Sequence, residues 1–284
     1  MEQHEEERCG ESCGSCQGAE AEAEELSSAV RARMKNVRHK IAVMSGKGGV
    51  GKTTVSVTLA RCLAERGHRV GLLDADVTAP NVAKMLGLES PELFATPAGL
   101  FPPEVDGIRV ISMAFLADED SAIIWRGPVI MGVIEQFLSQ VVWGELDYLI
   151  IDLPPGTGDE ALSIMQLLPD LSGVITVTTP QGVALLDTKR SLDMARTMKV
   201  PVLGLVVNMA SFVCPRCGEA VHMFPGGDPQ ELARELGVEL LAAVPFEPEI
   251  ARAGDEGKAV KQGRAWEALE SVVNRVEAAL SGKN

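Results

Sequence analysis

Gly46-Lys47-Gly48-Gly49-Val50-Gly51-Lys52-Thr53-Thr54 carries more information than any other stretch of this chain. The spacing from Gly46 through Gly51 to Lys52 and Thr53 is that of a phosphate-binding P-loop, in which small residues let consecutive backbone N–H groups converge on an anion. Lys52 would then neutralise the β- and γ-oxygens of a nucleotide. Thr53 would offer its hydroxyl to Mg²⁺, a cation that takes oxygen ligands and keeps several waters. The flanks agree: Ile41-Ala42-Val43-Met44 is a short apolar run and Val55 to Ala60 opens a helical pattern, which gives the strand, loop and helix such a site needs.

Outward from this loop, short apolar runs alternate with helical spacing. Strands are expected at Val70 to Leu73, Ile108 to Met113, Tyr148 to Ile151, Gly173 to Val177, Val202 to Val207 and Leu240 to Val244, and helices at stretches such as Gly182 to Met198 and Ala265 to Leu280. Strands that are apolar throughout, alternating with helices, predict an α/β fold with a doubly wound, mostly parallel sheet covered on both faces. Ligands on such sheets bind beyond the carboxyl ends of the strands. Residues 1 to 37 are Glu-, Gly- and Ser-rich and read as a flexible acidic tail, followed by one domain over 38–284.

The chain has 284 residues and a formal charge of −14, which argues against a nucleic-acid surface. The first residues are Glu-rich rather than basic then apolar, and no apolar run reaches the ~18 residues of a membrane span, so a cytoplasmic protein is expected. In that compartment cysteines point to metal or redox chemistry before disulfides. They fall as Cys9, Cys13 and Cys16 in the tail, Cys62 alone, and Cys214 with Cys217.

Two further runs put carboxylates at strand ends. Leu72-Leu73-Asp74-Ala75-Asp76 places two acids on one face of extended backbone. Tyr148-Leu149-Ile150-Ile151-Asp152-Leu153-Pro154-Pro155-Gly156-Thr157-Gly158-Asp159 is an apolar strand ending in an acid and then a stiff turn, and it resembles a Walker B strand joined to a switch II arm; that resemblance implies that Asp152 would hold Mg²⁺ and that Gly156 could approach a γ-phosphate without a Cβ. Asn208, just after a strand, carries an amide that can donate and accept at a base edge. The Cys-x-x-Cys of Cys214-Pro215-Arg216-Cys217 could serve zinc, an iron–sulfur cluster or a dithiol switch. Cys62, inside the first helix, reads as a small buried hydrophobe, and His222 as a solvated or structural histidine rather than a ligand.

The early Lys47 marks the deviant Walker A motif of the MinD, ParA and nitrogenase iron protein group, which this chain resembles. The deviant loop, the Asp-Leu-Pro-Pro-Gly-Thr-Gly-Asp segment, Asn208 and the cysteine pair, in this order over roughly residues 38 to 265, are similar to the Mrp/ApbC family of ATP-binding iron–sulfur carriers. The resemblance implies ATP and Mg²⁺ as cofactors, with Gly46 through Thr54, Gly156, Asn208, Pro245 and Phe246 contacting the nucleotide and Asp74 supporting the Mg²⁺ shell. It assigns catalysis to Lys47, Lys52 and Asp76. Asp76 would orient the attacking water, and Lys47 would reach the nucleotide of a partner subunit. Thr53 and Asp152 would serve the metal. It further implies that Cys214 and Cys217, in the segment 212–224, share one [4Fe–4S] cluster across a homodimer and that apo iron–sulfur proteins are the acceptors. Four thiolates are needed and one chain offers two here, so a two-fold dimer completes the set. Cytosolic eukaryotic relatives carry a four-cysteine site at the N-terminus. This tail departs from it with three, so Cys9, Cys13 and Cys16 are left between an auxiliary cluster, zinc and cluster handover. The group also holds spatial regulators of the MinD or ParA kind, which need a basic surface or amphipathic terminal helix, and electron-transfer ATPases. Glu267, Glu270 and Glu277 weigh against the first, and the position of the Cys-x-x-Cys pair against the second.

Overall fold

The computed structural model describes residues 26–77, 79–88, 91, 93–116, 127–168, 170–214, 216–224 and 227–281. Cys9, Cys13 and Cys16, and the tail up to residue 25, lie outside them. Strands follow in the order β1 (Val37–Ser45), β2 (Val70–Asp74), β3 (Phe94–Thr96), β4 (Gly99–Phe101), β5 (Glu104–Val105), β6 (Ile108–Ser112), β7 (Leu146–Asp152), β8 (Gly173–Thr178), β9 (Val202–Val207), β10 (Phe212–Val213), β11 (Ala220–Val221) and β12 (Leu240–Ala243). The helices are α1 (residues 26–34), α2 (Lys52–Glu65), α3 (Val82–Met85), α4 (Gly127–Gln140), α5 (Asp159–Leu167), α6 (Gly182–Thr197), α7 (Pro229–Leu236), α8 (Pro248–Asp255) and α9 (Arg264–Ser281).

Among the described residues, eight strands form one sheet in the order β12-β9-β8-β1-β7-β2-β6-β5. All pairs are parallel except β5 with β6. That exception follows from Asp106 and Gly107, both at positive φ (52° and 76°), the conformation of a two-residue hairpin turn. Alternation along β1 shows how the sheet is covered: Ile41 and Val43 pack under α2 and α9 with Leu59, Leu63, Trp266 and Leu269, whereas Ala42 and Met44 face Ile134, Leu138 and Trp143. Successive side chains point to opposite faces, so a strand apolar at every position needs helices on both. Chain order reverses at β1, between β7 on one side and β8 on the other. The crevice of a doubly wound sheet opens at such a point, and the Gly46–Thr54 loop leaves β1 there.

The boundary drawn at residue 37 moves. Leu26, Val30 and Met34 recur every four residues on one face of α1, and Val30 and Met34 are buried in the second core. Lys40, itself buried, donates from Nζ to the carbonyls of Met34 and Val37 and pairs with Asp170 at 2.7 Å, holding the end of that helix. Composition averaged over the tail hid this spacing.

Candidate functional site

Every residue singled out in the nucleotide motifs falls at the carboxyl edge of the sheet. The loop after β1 runs through Gly49 and Gly51 at φ 76° and 84°, and α2 begins at Lys52 with neither a capping side chain nor an acid in its first turn. Its first N–H groups therefore have no side-chain acceptor and present a positive end suited to an anion. The glycines differ in what they do. A Cβ on Gly48 or Gly49 would meet nothing within 4 Å. One on Gly46 would lie 2.3 Å from the Asp187 backbone in α6, and one on Gly51 would lie 2.2 Å from Asn208 Nδ2. Two of them thus permit close packing, and two leave open space over the loop.

Beneath the loop lies a buried carboxylate cage. Asp74 and Asp152 are register partners on β2 and β7, and neither is exposed. Asp152 accepts from Thr53 Oγ1 (2.8 Å) and Ser56 Oγ (2.6 Å), and Lys52 Nζ stands 2.8 Å from its Oδ2. Asp74 accepts from Ser112 Oγ (2.8 Å) and from the backbone N–H groups of Val82 and Asp76. Burial first and the Asp152 charge second push the Asp74 carboxyl well above the usual carboxylate range. With its oxygens held by these three donors, Asp74 anchors the turn that carries Asp76. Asp76 is 6% exposed and accepts from the Ala79 N–H. Glu160, at the start of α5, has its carboxyl raised by burial and then by Asp76, which puts these two acids in one field. Ser56, Ser112 and Glu160 were not foreseen, although Ser56 follows Lys52 by one helical turn, the spacing that puts it on the same face.

Lys47 and Gly156 are both engaged within the chain. Lys47 Nζ donates to Gln181 Oε1 at 2.7 Å, beside the start of α6, and the Gly156 N–H donates to Ser45 O at 2.8 Å. Gly156 has φ 90°, so glycine is needed there for conformation; the nearest atom to an added Cβ is 4.0 Å away.

Asn208 donates from its own N–H to Thr178 O and from Nδ2 to Val50 O, both at 2.8 Å, which ties the end of β9 to the loop. It lines a solvent-open recess with Gly51, Thr54, Met209, Pro245 and Phe246. A second recess beside Asn81 and Lys84 shares Gly51, Thr54, Ile250 and Ala251 with the first. Together they make one groove running past the loop, apolar at one end and open toward the start of α2 at the other.

Cys214 and Cys217 sit at the tip of the β10–β11 hairpin, Cys214 half-buried and Cys217 exposed. The Gly218 N–H returns to Cys214 O (2.8 Å) with Gly218 at φ 74°, and the Cys214 N–H bonds Glu219 O (2.9 Å). The Cys214 thiol is lowered by the backbone N–H groups of Cys217 and Arg216, then by the Cys217 thiol. Such a turn brings the two thiols within reach of one another. His222 Nδ1 faces Ala210 O at 3.3 Å and so belongs to the base of the hairpin. Cys62 is buried, its thiol pushed up to about 12 chiefly by burial. Among the described residues no three His, Cys, Asp or Glu side chains converge on a metal position within one chain, and no helix is long and apolar enough to cross a membrane.

The sheet order, the glycine loop and the acids beneath it define a P-loop NTPase. A family model described as ParA: NUBPL iron-transfer P-loop NTPase matches residues 36–280, and the chain belongs to that family. It is 47% identical over 258 residues to an iron-sulfur cluster carrier protein of Methanocaldococcus jannaschii, covering 89% of each chain. Among solved structures it resembles a nucleotide-binding protein from Archaeoglobus fulgidus in complex with ADP (39% identity, TM-score 0.75, 85% of this chain and 95% of that one). The cell division ATPase MinD of Pyrococcus furiosus is similar in fold alone, at 23% identity and TM-score 0.63 over 84% of this chain and 98% of that one.

Proposed function

We propose that this protein is an ATP-binding and ATP-hydrolysing carrier that assembles [4Fe–4S] clusters on the Cys214/Cys217 hairpins of a homodimer and transfers them to apo-proteins. The observation that carries the reading is the attachment of a preformed dithiol turn six residues beyond Asn208, the residue that ties the groove to the P-loop. The carrier relatives support it.

The donor set fits the cofactors. Thr53 and Asp152 bring two oxygens together at 2.8 Å, the hard ligands Mg²⁺ takes, and the open loop with the uncapped start of α2 suits a triphosphate. When bound, Mg²⁺ would neutralise charge on the β- and γ-oxygens. Lys52 would leave Asp152 for phosphate, an exchange that keeps both the lysine and the acid paired. Asp76 would orient the attacking water, Asn208 would address the base between Pro245 and Phe246, and Lys47 would exchange Gln181 for the partner's nucleotide. Two thiolates per chain leave the cluster at an exposed interface, where it can be released. Anaerobic reconstitution followed by transfer to an apo-acceptor tests this. Cluster bound on the cysteine pair and passed on faster with ATP than without is expected; a protein that binds ATP yet takes up no iron would contradict it.

A further inference from the structure

The pairing of β9 with β12 does not stop where the sheet ends. Val244 N–H bonds Val207 O (2.9 Å), Ala210 N–H bonds Val244 O (2.9 Å), and Phe246 N–H bonds Ser211 O (2.7 Å). Phe212 and Phe246 then form a parallel bridge of their own, with ring centroids 6.3 Å apart. The two chains thus run side by side from the sheet to the second residue before Cys214. Between the last sheet pair and this bridge, Met209 stands at φ 54°, a conformation uncommon for a residue with a side chain.

The same residues wall the recess at the apolar end of the groove. Met209, Val244, Pro245 and Phe246 line it, and a third recess that shares Pro245 and Phe246 with it is lined by Phe212 and Val213. The 244–247 segment is pinned at its ends, by Val244 to β9 and by Glu247 Oε1 accepting from the Arg264 N–H (2.9 Å). What lies between lines both recesses, the one with Asn208 and the one at the root of the cysteine hairpin. Anything that fills the recess presses on Pro245 and Phe246, and Phe246 is bonded backbone to backbone to the strand that carries Cys214.

We infer that occupancy of this recess by an adenine base repositions the Cys214/Cys217 hairpin, and that Phe212 is the positioning residue through which the base acts. The inference rests on the nucleotide reading above and deepens it. The effective ligand class is any adenine nucleotide, the diphosphate included, because the contact is made by the base; sensing of the γ-phosphate through residues 152–159 is a separate input. A contact made by the base lets the nucleotide-bound and empty states differ at the thiols even after hydrolysis.

The test is the alkylation rate of Cys214 and Cys217 in the full-length, cluster-free protein, read by peptide mass spectrometry, with buried Cys62 as the silent internal reference. The arms are no nucleotide, ADP, a non-hydrolysable ATP analogue, and pyrophosphate, which fills the phosphate end without a base. ADP and the analogue are expected to change the rate by about five-fold or more, the low end of typical coupling between sites, and pyrophosphate to leave it unchanged. Phe212→Ala should bind ADP with wild-type affinity by calorimetry and lose the response, whereas Phe212→Leu, which keeps an apolar contact, should retain part of it and covers the case in which the alanine variant does not fold. ADP binding without any change in alkylation, an equal effect of pyrophosphate, or a full response in Phe212→Ala would overturn the inference while leaving the carrier reading intact. Failure of the wild-type protein to bind ADP would overturn the nucleotide reading and this inference with it.

Discussion

The cage under the P-loop and the cysteine hairpin are built on opposite plans. Asp74 and Asp152 are fully enclosed and held by five side-chain and backbone donors besides Lys52, so their geometry is fixed before any ligand arrives. The hairpin has two residues in each strand, an exposed tip, and a root tied to the 244–246 segment and to His222. On the proposed reading, the rigid cage suits a place where charge must be held and the light attachment a place where cargo must leave. The contrast predicts that nucleotide binding and cluster binding are separable by mutation.

Cys214→Ser is expected to have the largest effect: loss of all iron held by the hairpin with ADP affinity unchanged, measured by iron assay and calorimetry. A drop in nucleotide affinity would break the separation. Lys52→Ala should lower ATP turnover by about 10²–10³-fold, the range seen when one group stabilising transition-state charge is removed, and leave the thiols as reactive as before. Ser56→Ala sharpens the comparison from the cage side. It removes a 2.6 Å bond to a buried carboxylate, and a loss of about 1.5–3 kcal/mol in chemical denaturation is expected, in the range for hydrogen bonds to charged groups. The smallest effect concerns pH. With its thiol lowered by backbone N–H groups, Cys214 should reach its alkylation plateau at a lower pH than a thiol in the unfolded chain, while Cys62 stays silent from about pH 6 to pH 9. Equal profiles for Cys214 in the folded and unfolded chain would show that the turn does not organise the sulfur.

The strands and the glycine loop were legible because each carries a local signal: apolar runs of strand length, and a spacing that physics ties to phosphate. Expected strands such as Val202 to Val207 coincide with the observed ones, and Ile108 to Met113 is one residue too long because Met113 starts a short 3₁₀ turn. Partners supplied by other elements were not legible. Nothing near Asp74 in sequence points to Ser112, and nothing near Lys47 points to Gln181. The packing of Gly46 against the Asp187 backbone is equally invisible, since a glycine in a phosphate loop already has an apparent reason to be there. The short pairs β3–β4 and β10–β11 escaped because two or three residues give no period to read.

The central claim, that two hairpins hold one cluster, is tested most directly by counting iron in the full-length protein with Cys9, Cys13 and Cys16 all replaced by Ser. Truncation at residue 37 would serve less well, because it removes Val30 and Met34 from the core. The account predicts about four irons per two chains, following the four-thiolate rule, and none after the further change Cys214→Ser. Four irons on each single chain, or iron that survives Cys214→Ser, would contradict it.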